Sequence, residues 1–161
     1  IGYQPGYLAT SAYYSNFIGS NAGTGATNAS YSNFIGYQVG RAFAGNNVGA
    51  NNIIIGTNIS LPNAAANSLN IGGVLFGTNL YSATTGNPIV SATTSGRIGI
   101  GVVTPTANLH IAASTTAAAL MRLEVGVAPT SPNEGDIWLT GNTLTGLKIY
   151  LGGAVRTITI T

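Results

Sequence analysis

Short apolar runs recur along the first half of the chain, each closed by a glycine and followed by a polar, turn-forming cluster. Asn16-Phe17-Ile18-Gly19 leads into Ser20-Asn21-Ala22-Gly23, and Asn33-Phe34-Ile35-Gly36 leads into Tyr37-Gln38-Val39-Gly40. Both belong to a repeat, since Ala9–Gly25 laid over Ala26–Ala42 matches at ten of seventeen positions. Ile1-Gly2 stands seventeen residues before Ile18-Gly19, while Ile55-Gly56 and Ile71-Gly72 follow at spacings of twenty and sixteen. Self-similarity at a fixed period points to stacked units that lean on their neighbours. Phe, Ile, Tyr and Thr favour strands, two or more glycines per copy oppose helix, and no i, i+3, i+4 stripe persists. Residues 1–92 are therefore predicted to be an all-β roll or solenoid. Each seventeen-residue coil is expected to hold two short strands and two turns, with glycines supplying positive φ at the corners.

One copy offers one Phe, one Ile and a few Ala, too little apolar area to offset the ordering of seventeen residues. Cover from other chains is expected: a homotrimer with an Ile and Phe ridge facing a shared axis. Asn16 and Asn33, with Asn52 and Asn70 extending the series, suggest a side-chain amide ladder, although turn duty is the commoner task of Asn. The changing spacing leaves coil geometry after Gly40 open.

Beyond the repeats, residues 93–125 read as a neck or shaft β-segment. Gly96–Gly101 alternates small and β-branched residues, Val102–Thr106 breaks the strand, and Asn108–Ile111 resumes it. Ala112–Ala119 is a small-residue loop or short helical turn, and alternation returns in Leu120–Val125. Residues 126–161 read as a small β-meander of Ile137–Thr140, Leu147–Leu151 and Val155–Ile160. Its turns are expected at Gly141-Asn142 and Gly152-Gly153, after a proline-rich stretch over 128–136.

Charge changes the picture. Only eight residues are charged, Arg41, Arg97, Arg122, Lys148, Arg156, Glu124, Glu134 and Asp136, or 5% of the chain against about 25% in ordinary soluble domains. Asn, Ser, Thr and Gly carry the polar surface instead, as stacked β-structure allows. Five scattered cations track no phosphate backbone, so no nucleic-acid partner is expected. Cysteine is absent, and no apolar run of about eighteen residues occurs, so no membrane-inserting helix is expected. The chain opens inside a repeat, which points to a true N-terminus upstream.

Catalytic material is sparse. Glycoside hydrolysis needs two flanking carboxyl groups, and Glu134 and Asp136 read better as acceptors for turn amides. His110, the sole histidine, chelates nothing alone, though three copies about an axis could bind an ion; a packed or solvent-facing ring is the expectation. Gly96–Gly101 lacks the order of a phosphate loop. Arg122 and Glu124, two apart on one strand face, suit an ion pair between chains. No enzyme activity, cofactor or metal is expected. Tyr3, Tyr7, Tyr13, Tyr14, Tyr31 and Tyr37 cluster early; Tyr3, Tyr7, Tyr13 and Tyr37 are the receptor-facing candidates, if they do not pack on neighbouring turns instead. A flat, Thr-rich ice-binding face would need a Thr ladder, and only Thr10 and Thr27 repeat.

The copies built on Asn-Phe-Ile-Gly resemble head repeats of trimeric autotransporter adhesins and, more closely, repeats of bacteriophage tail fibres. Gly96–Gly101 through Thr104-Pro105 and Leu109-His110-Ile111 is similar to a tail-fibre motif often placed upstream of a C-terminal chaperone domain. Glu134-Gly135-Asp136-Ile137-Trp138 with Leu147-Lys148-Ile149-Tyr150 resembles a small β-unit of such fibres. The resemblance implies a homotrimeric β-roll with an intertwined shaft, located on the virion and attached to other tail or fibre proteins. It would bind a host surface glycan or protein receptor. A bacterial cell-surface adhesin is the alternative, and a glycan-depolymerising tailspike a more distant one.

Overall fold

The computed structural model describes residues 1–42, 47–80, 95–141 and 146–158. The chain divides into two compact units, Ile1–Ala113 and Ser114–Thr161. The expected boundary at residue 92, like the second residue of the Gly141-Asn142 turn, falls outside the described residues. No helix forms among the described residues.

The first unit is a β-solenoid of about three turns. Strands β1 (Asn16–Ile18), β2 (Asn33–Ile35), β3 (Ile53–Ile55) and β4 (Leu69–Ile71) pair in parallel, one rung per coil. Each coil holds one strand, where two were expected. Non-glycine residues in the left-handed region, such as Asn21 (φ 56°) and Tyr31 (φ 59°), break up the rest of the coil. Single inter-coil bonds hold those sides, for example Gly23 N–H to Val39 O at 2.9 Å and Thr10 N–H to Ala26 O at 3.2 Å.

The drift in repeat length is confined to one corner. Gly23, Gly40 and Ser60 are equivalent, and so are Thr27, Asn47 and Asn63, by the inter-coil bonds that link their layers. Between these columns the first coil takes four steps, the second seven and the third three. Every other side keeps its length. The coil geometry left open after Gly40 is thus regular except at this corner.

Gly19 shows why the adjacent corner must be glycine. Its φ is 125°, and a Cβ there would lie 2.6 Å from the carbonyl carbon of Gly36 in the next coil. Gly2 and Gly36 repeat the arrangement above and below it.

The solenoid ends in a hairpin. Gly72 and Gly73 take φ of 62° and 71°, which glycine adopts without strain, and with Val74 they form the three-residue connection that sends β5 (Leu75–Thr78) back antiparallel to β4. Asn70 fastens the turn, accepting from Gly73 N–H at 3.0 Å and donating to Ser60 O at 2.6 Å. Strands β6 (Arg97–Ile100) and β7 (Leu109–Ile111) extend the same seven-stranded sheet, as the alternation in those stretches predicts.

Strand alternation separates Phe from Ile. Phe17, Phe34, Ile54, Asn70 and Phe76 form the inward column; Phe34 and Ile54 are fully buried with Ala22, Ala26, Ala29, Val39 and Val48. Phe17 and Phe34 stack at 5.2 Å. The interior of each coil is narrow enough for one large side chain and several alanines, so the scarce apolar residues fill it within one chain. The expected shared ridge of Ile and Phe is corrected accordingly: Phe17 and Phe34 point in with Ile54, while Ile18, Ile35, Ile55 and Ile71 point out.

A buried polar ladder runs beside this core. Ser15, Ser32, Asn52 and Ser68 each immediately precede a repeat strand or its paired residue. Ser32 N–H donates to Ser15 Oγ at 3.0 Å, Asn52 N–H to Ser32 Oγ at 3.1 Å, and Ser68 N–H to Asn52 Oδ1 at 3.0 Å. The four-residue Asn series is corrected in turn. Asn16 Nδ2 does donate to Asn33 Oδ1 at 2.8 Å, but Asn52 belongs to the buried ladder and Asn70 to the core column.

The second unit is a three-stranded antiparallel sheet of β8 (Ile137–Leu139), β9 (Leu147–Leu151) and β10 (Ala154–Thr157), in the order β10-β9-β8. Gly152 and Gly153, at φ 63° and 72°, make the β9–β10 turn where the pattern places it. Leu120–Val125 does not form the strand its alternation suggests. It meets β8 at one point, a parallel bridge from Val125 to Leu139, because alternation makes a strand only where a sheet edge runs alongside it. Ala112–Ala119 is a loop, with Thr115 Oγ1 accepting from the N–H groups of Ala117 and Ala118.

Candidate functional site

Two surfaces of the solenoid stand out, and both are built from the repeat. The first is the outer face of the seven-stranded sheet. Its two outward columns contain fourteen positions in register, from Asn16 and Ile18 on β1 to Leu109 and Ile111 on β7. Eleven are Ile or Leu; the exceptions are Asn16, Asn33 and Gly77. These side chains are half-buried or exposed, with Ile18 at 40% and Leu109 at 59%. Scattered surface aliphatics are ordinary, but a contiguous apolar face across seven strands is the mark of an interaction surface.

The second surface is the corner preceding β1 and β2, which carries the tyrosines. Tyr14 and Tyr31 are equivalent residues of successive coils, and their rings stack at 5.2 Å and 16°. Tyr14 remains 81% exposed and Tyr31 43%. Both backbones are left-handed, at φ 57° and 59°, which costs a bulky residue roughly 1–2 kcal/mol. Asn51 and Asn67 occupy the same position in later coils, at φ 59° and 52°, and Asn accepts that conformation readily. An aromatic stack returns about 0.5–1.5 kcal/mol, less than the two strained backbones cost.

The four receptor-facing candidates are all exposed but lie on three different columns. Tyr3 and Tyr37 are equivalent, each accepting through its backbone carbonyl from the left-handed Asn of the following coil. Tyr7 accepts from Gly25 N–H on a second corner, and Tyr13 from Tyr31 N–H on the third. Tyr13 therefore joins Tyr14 and Tyr31, while Tyr3, Tyr7 and Tyr37 sit elsewhere around the coil. The Tyr14–Tyr31 pairing was visible in the seventeen-residue offset alone.

Charge is nearly missing from this unit. Arg41 is the one charged side chain in residues 1–96. A groove of about 240 Å³ between the Leu61–Ala65 turn and Val103-Thr104 is lined by apolar, amide and hydroxyl groups without an acid or base. His110 Nδ1 accepts from Thr106 N–H at 3.2 Å, which ties the ring to its own turn. Among the described residues no three His, Cys, Asp or Glu side chains gather to hold a metal, and no helix is long and apolar enough to cross a membrane.

Two of the three acids, Glu134 and Asp136, are engaged in turns. Glu134 accepts from Gly152 N–H at 3.0 Å and Gly153 N–H at 2.7 Å, clamping the β9–β10 hairpin. Asp136 Oδ2 accepts from Asn133 N–H at 2.8 Å. Trp138 is half-buried in β8, and its enclosed Nε1 has no partner among the described residues.

Compared with protein-family models, characterised proteins and solved structures, the chain matches none.

Proposed function

We propose that this chain is one subunit of a homotrimeric, non-enzymatic β-fibre that attaches to a host cell surface, as a segment of a phage tail fibre on the virion. The observation that carries the assembly is the aliphatic outer sheet face. The interior is already filled by the chain's own Phe34, Ile54, Val39, Val48, Leu61 and alanines, so the outward Ile and Leu columns answer to no need of the single chain. Three copies packed about an axis bury them together, and a closed ring leaves no such face in water. Attachment rests on the likeness of the Asn-Phe-Ile-Gly repeats and of the Gly96–Ile111 and Glu134–Tyr150 segments to tail-fibre elements. Further support comes from the polar, almost uncharged solenoid and from Glu134 and Asp136, both committed to turns.

Light scattering tests the assembly. The purified chain should have about three times its 16.2 kDa mass, and Ile35→Glu with Ile55→Glu should split it. A soluble, folded monomer of the unaltered chain refutes the proposal. Fluorescent trimer mixed with a panel of bacterial strains should adsorb to a subset; adsorption to none removes the attachment role.

A further inference from the structure

The outer face of the seven-stranded sheet is aliphatic with one polar interruption. One outward column, from Ile18 on β1 to Ile111 on β7, is Ile or Leu on all seven strands. The other places Asn16 and Asn33 on β1 and β2, where β3, β4, β6 and β7 carry Ile53, Leu69, Ile98 and Leu109. Asn33 shares its side of the sheet with Ile35, opposite the fully buried Phe34. Ile53 shows that the solenoid accepts a β-branched aliphatic at this column, and such residues favour strands. Strand formation therefore does not call for an amide there.

Asn33 is only half satisfied by its own chain. Its Oδ1 accepts from Asn16 Nδ2 at 2.8 Å and keeps a second lone pair. Its Nδ2 has no acceptor among the described residues, and the next coil presents Ile53 at that place, which offers none. An amide with one donor and one acceptor open is complementary to itself. A second Asn33 at the same level meets both groups, whereas an aliphatic neighbour meets neither, and a polar group buried unmet is costly. In three copies about an axis along the coil stack, equivalent residues share a level, so the amides can close a ring. A slip of one coil sets Asn33 of one copy against Ile53 of the next.

We infer that Asn33, held by Asn16, sets the register of the self-association face. It selects further copies of this chain, aligned level for level, over any other apolar surface. A lone amide in an aliphatic seam plays this part in coiled coils, where it gives up stability for a defined alignment. The inference rests on the trimer reading and names what fixes its alignment.

The test is subunit mixing. Asn33→Ile/Ile53→Asn moves the amide to the next coil, and Asn16→Ile/Asn33→Ile removes the polar level. Each variant, carrying a mass tag, is refolded alone and with an equal amount of the unaltered full chain. Native mass spectrometry then counts pure and mixed trimers. Each variant alone should still form trimers, while mixed trimers should fall about tenfold or more below the random proportion. Should the moved amide prevent assembly, the double Ile pairing decides alone. The double Ile trimer should melt no lower than the unaltered one. Random mixing overturns the inference and leaves the trimer standing. So does a double Ile variant that melts lower, because the amides then serve the fold of one chain. An unaltered chain that stays a folded monomer removes both the register and the trimer.

Discussion

Asn52→Ala isolates what the buried ladder contributes. Asn52 is fully buried, donates from Nδ2 to Gly49 O at 2.9 Å and Ala65 O at 2.7 Å, and accepts from Ser68 N–H at 3.0 Å. Ala65 O keeps a second donor in Gly49 N–H, so truncation strands two groups, Gly49 O and Ser68 N–H. Each buried, unsatisfied group costs about 1–3 kcal/mol, and the small void adds up to about 1 kcal/mol. The expected loss is roughly 3–5 kcal/mol, a large share of the total for one domain. With a urea m-value of about 2 kcal/mol/M, the unfolding midpoint should fall by about 2 M. Far-UV circular dichroism at one fixed protein concentration reads it. Asn16→Ala is the control: it removes one exposed amide bond of 2.8 Å and should move the curve by no more than about 0.5 kcal/mol. Equal effects from the two variants, or a shift below about 0.5 M for Asn52→Ala, refute the claim that burial and satisfaction set the value of these amides.

Two further outcomes follow from the turns. Gly19→Ala combines a forbidden φ with a backbone collision and should destabilise the solenoid by about 3 kcal/mol or more, whereas Gly126→Ala, with open space around its Cβ, should be neutral in the same denaturation assay. Glu134→Ala should speed hydrogen exchange at the amides of Gly152 and Gly153 roughly tenfold without changing exchange in the solenoid; unchanged protection would mean that the carboxylate does not hold the hairpin.

The repeat made much of the solenoid legible. Equivalent residues at a seventeen-residue offset, such as Phe17 and Phe34, do sit above one another, and the segments 97–100, 109–111 and 147–151 form strands where their alternation places them. What escaped was direction. In a three-residue strand only the middle side chain faces the opposite way, which puts Phe17 inside and Ile18 outside, and the same rule puts Asn70 in the core. The ladder of Ser15, Ser32, Asn52 and Ser68 carried a signal, a small polar residue before each strand at the repeat spacing, masked by the change from Ser to Asn. Leu120–Val125 shows the opposite failure, where a clear local pattern met only one rung of a neighbouring edge. For the candidate surfaces, the tyrosine cluster was plain in the sequence, but its division among three corners emerges only once the coil is wound.

The corner between Gly40 and Asn47 has a consequence for how such a protein can change. Three extra residues enter there while Ala42 N–H still reaches Thr24 O at 2.9 Å and Thr27 N–H still reaches Asn47 Oδ1 at 3.0 Å. Growth at that vertex is uncoupled from the stacking of the layers, so new sequence can be admitted at one level without retuning those above and below. Such a scaffold can gain residues at that vertex while the rest of the pile stays as it was.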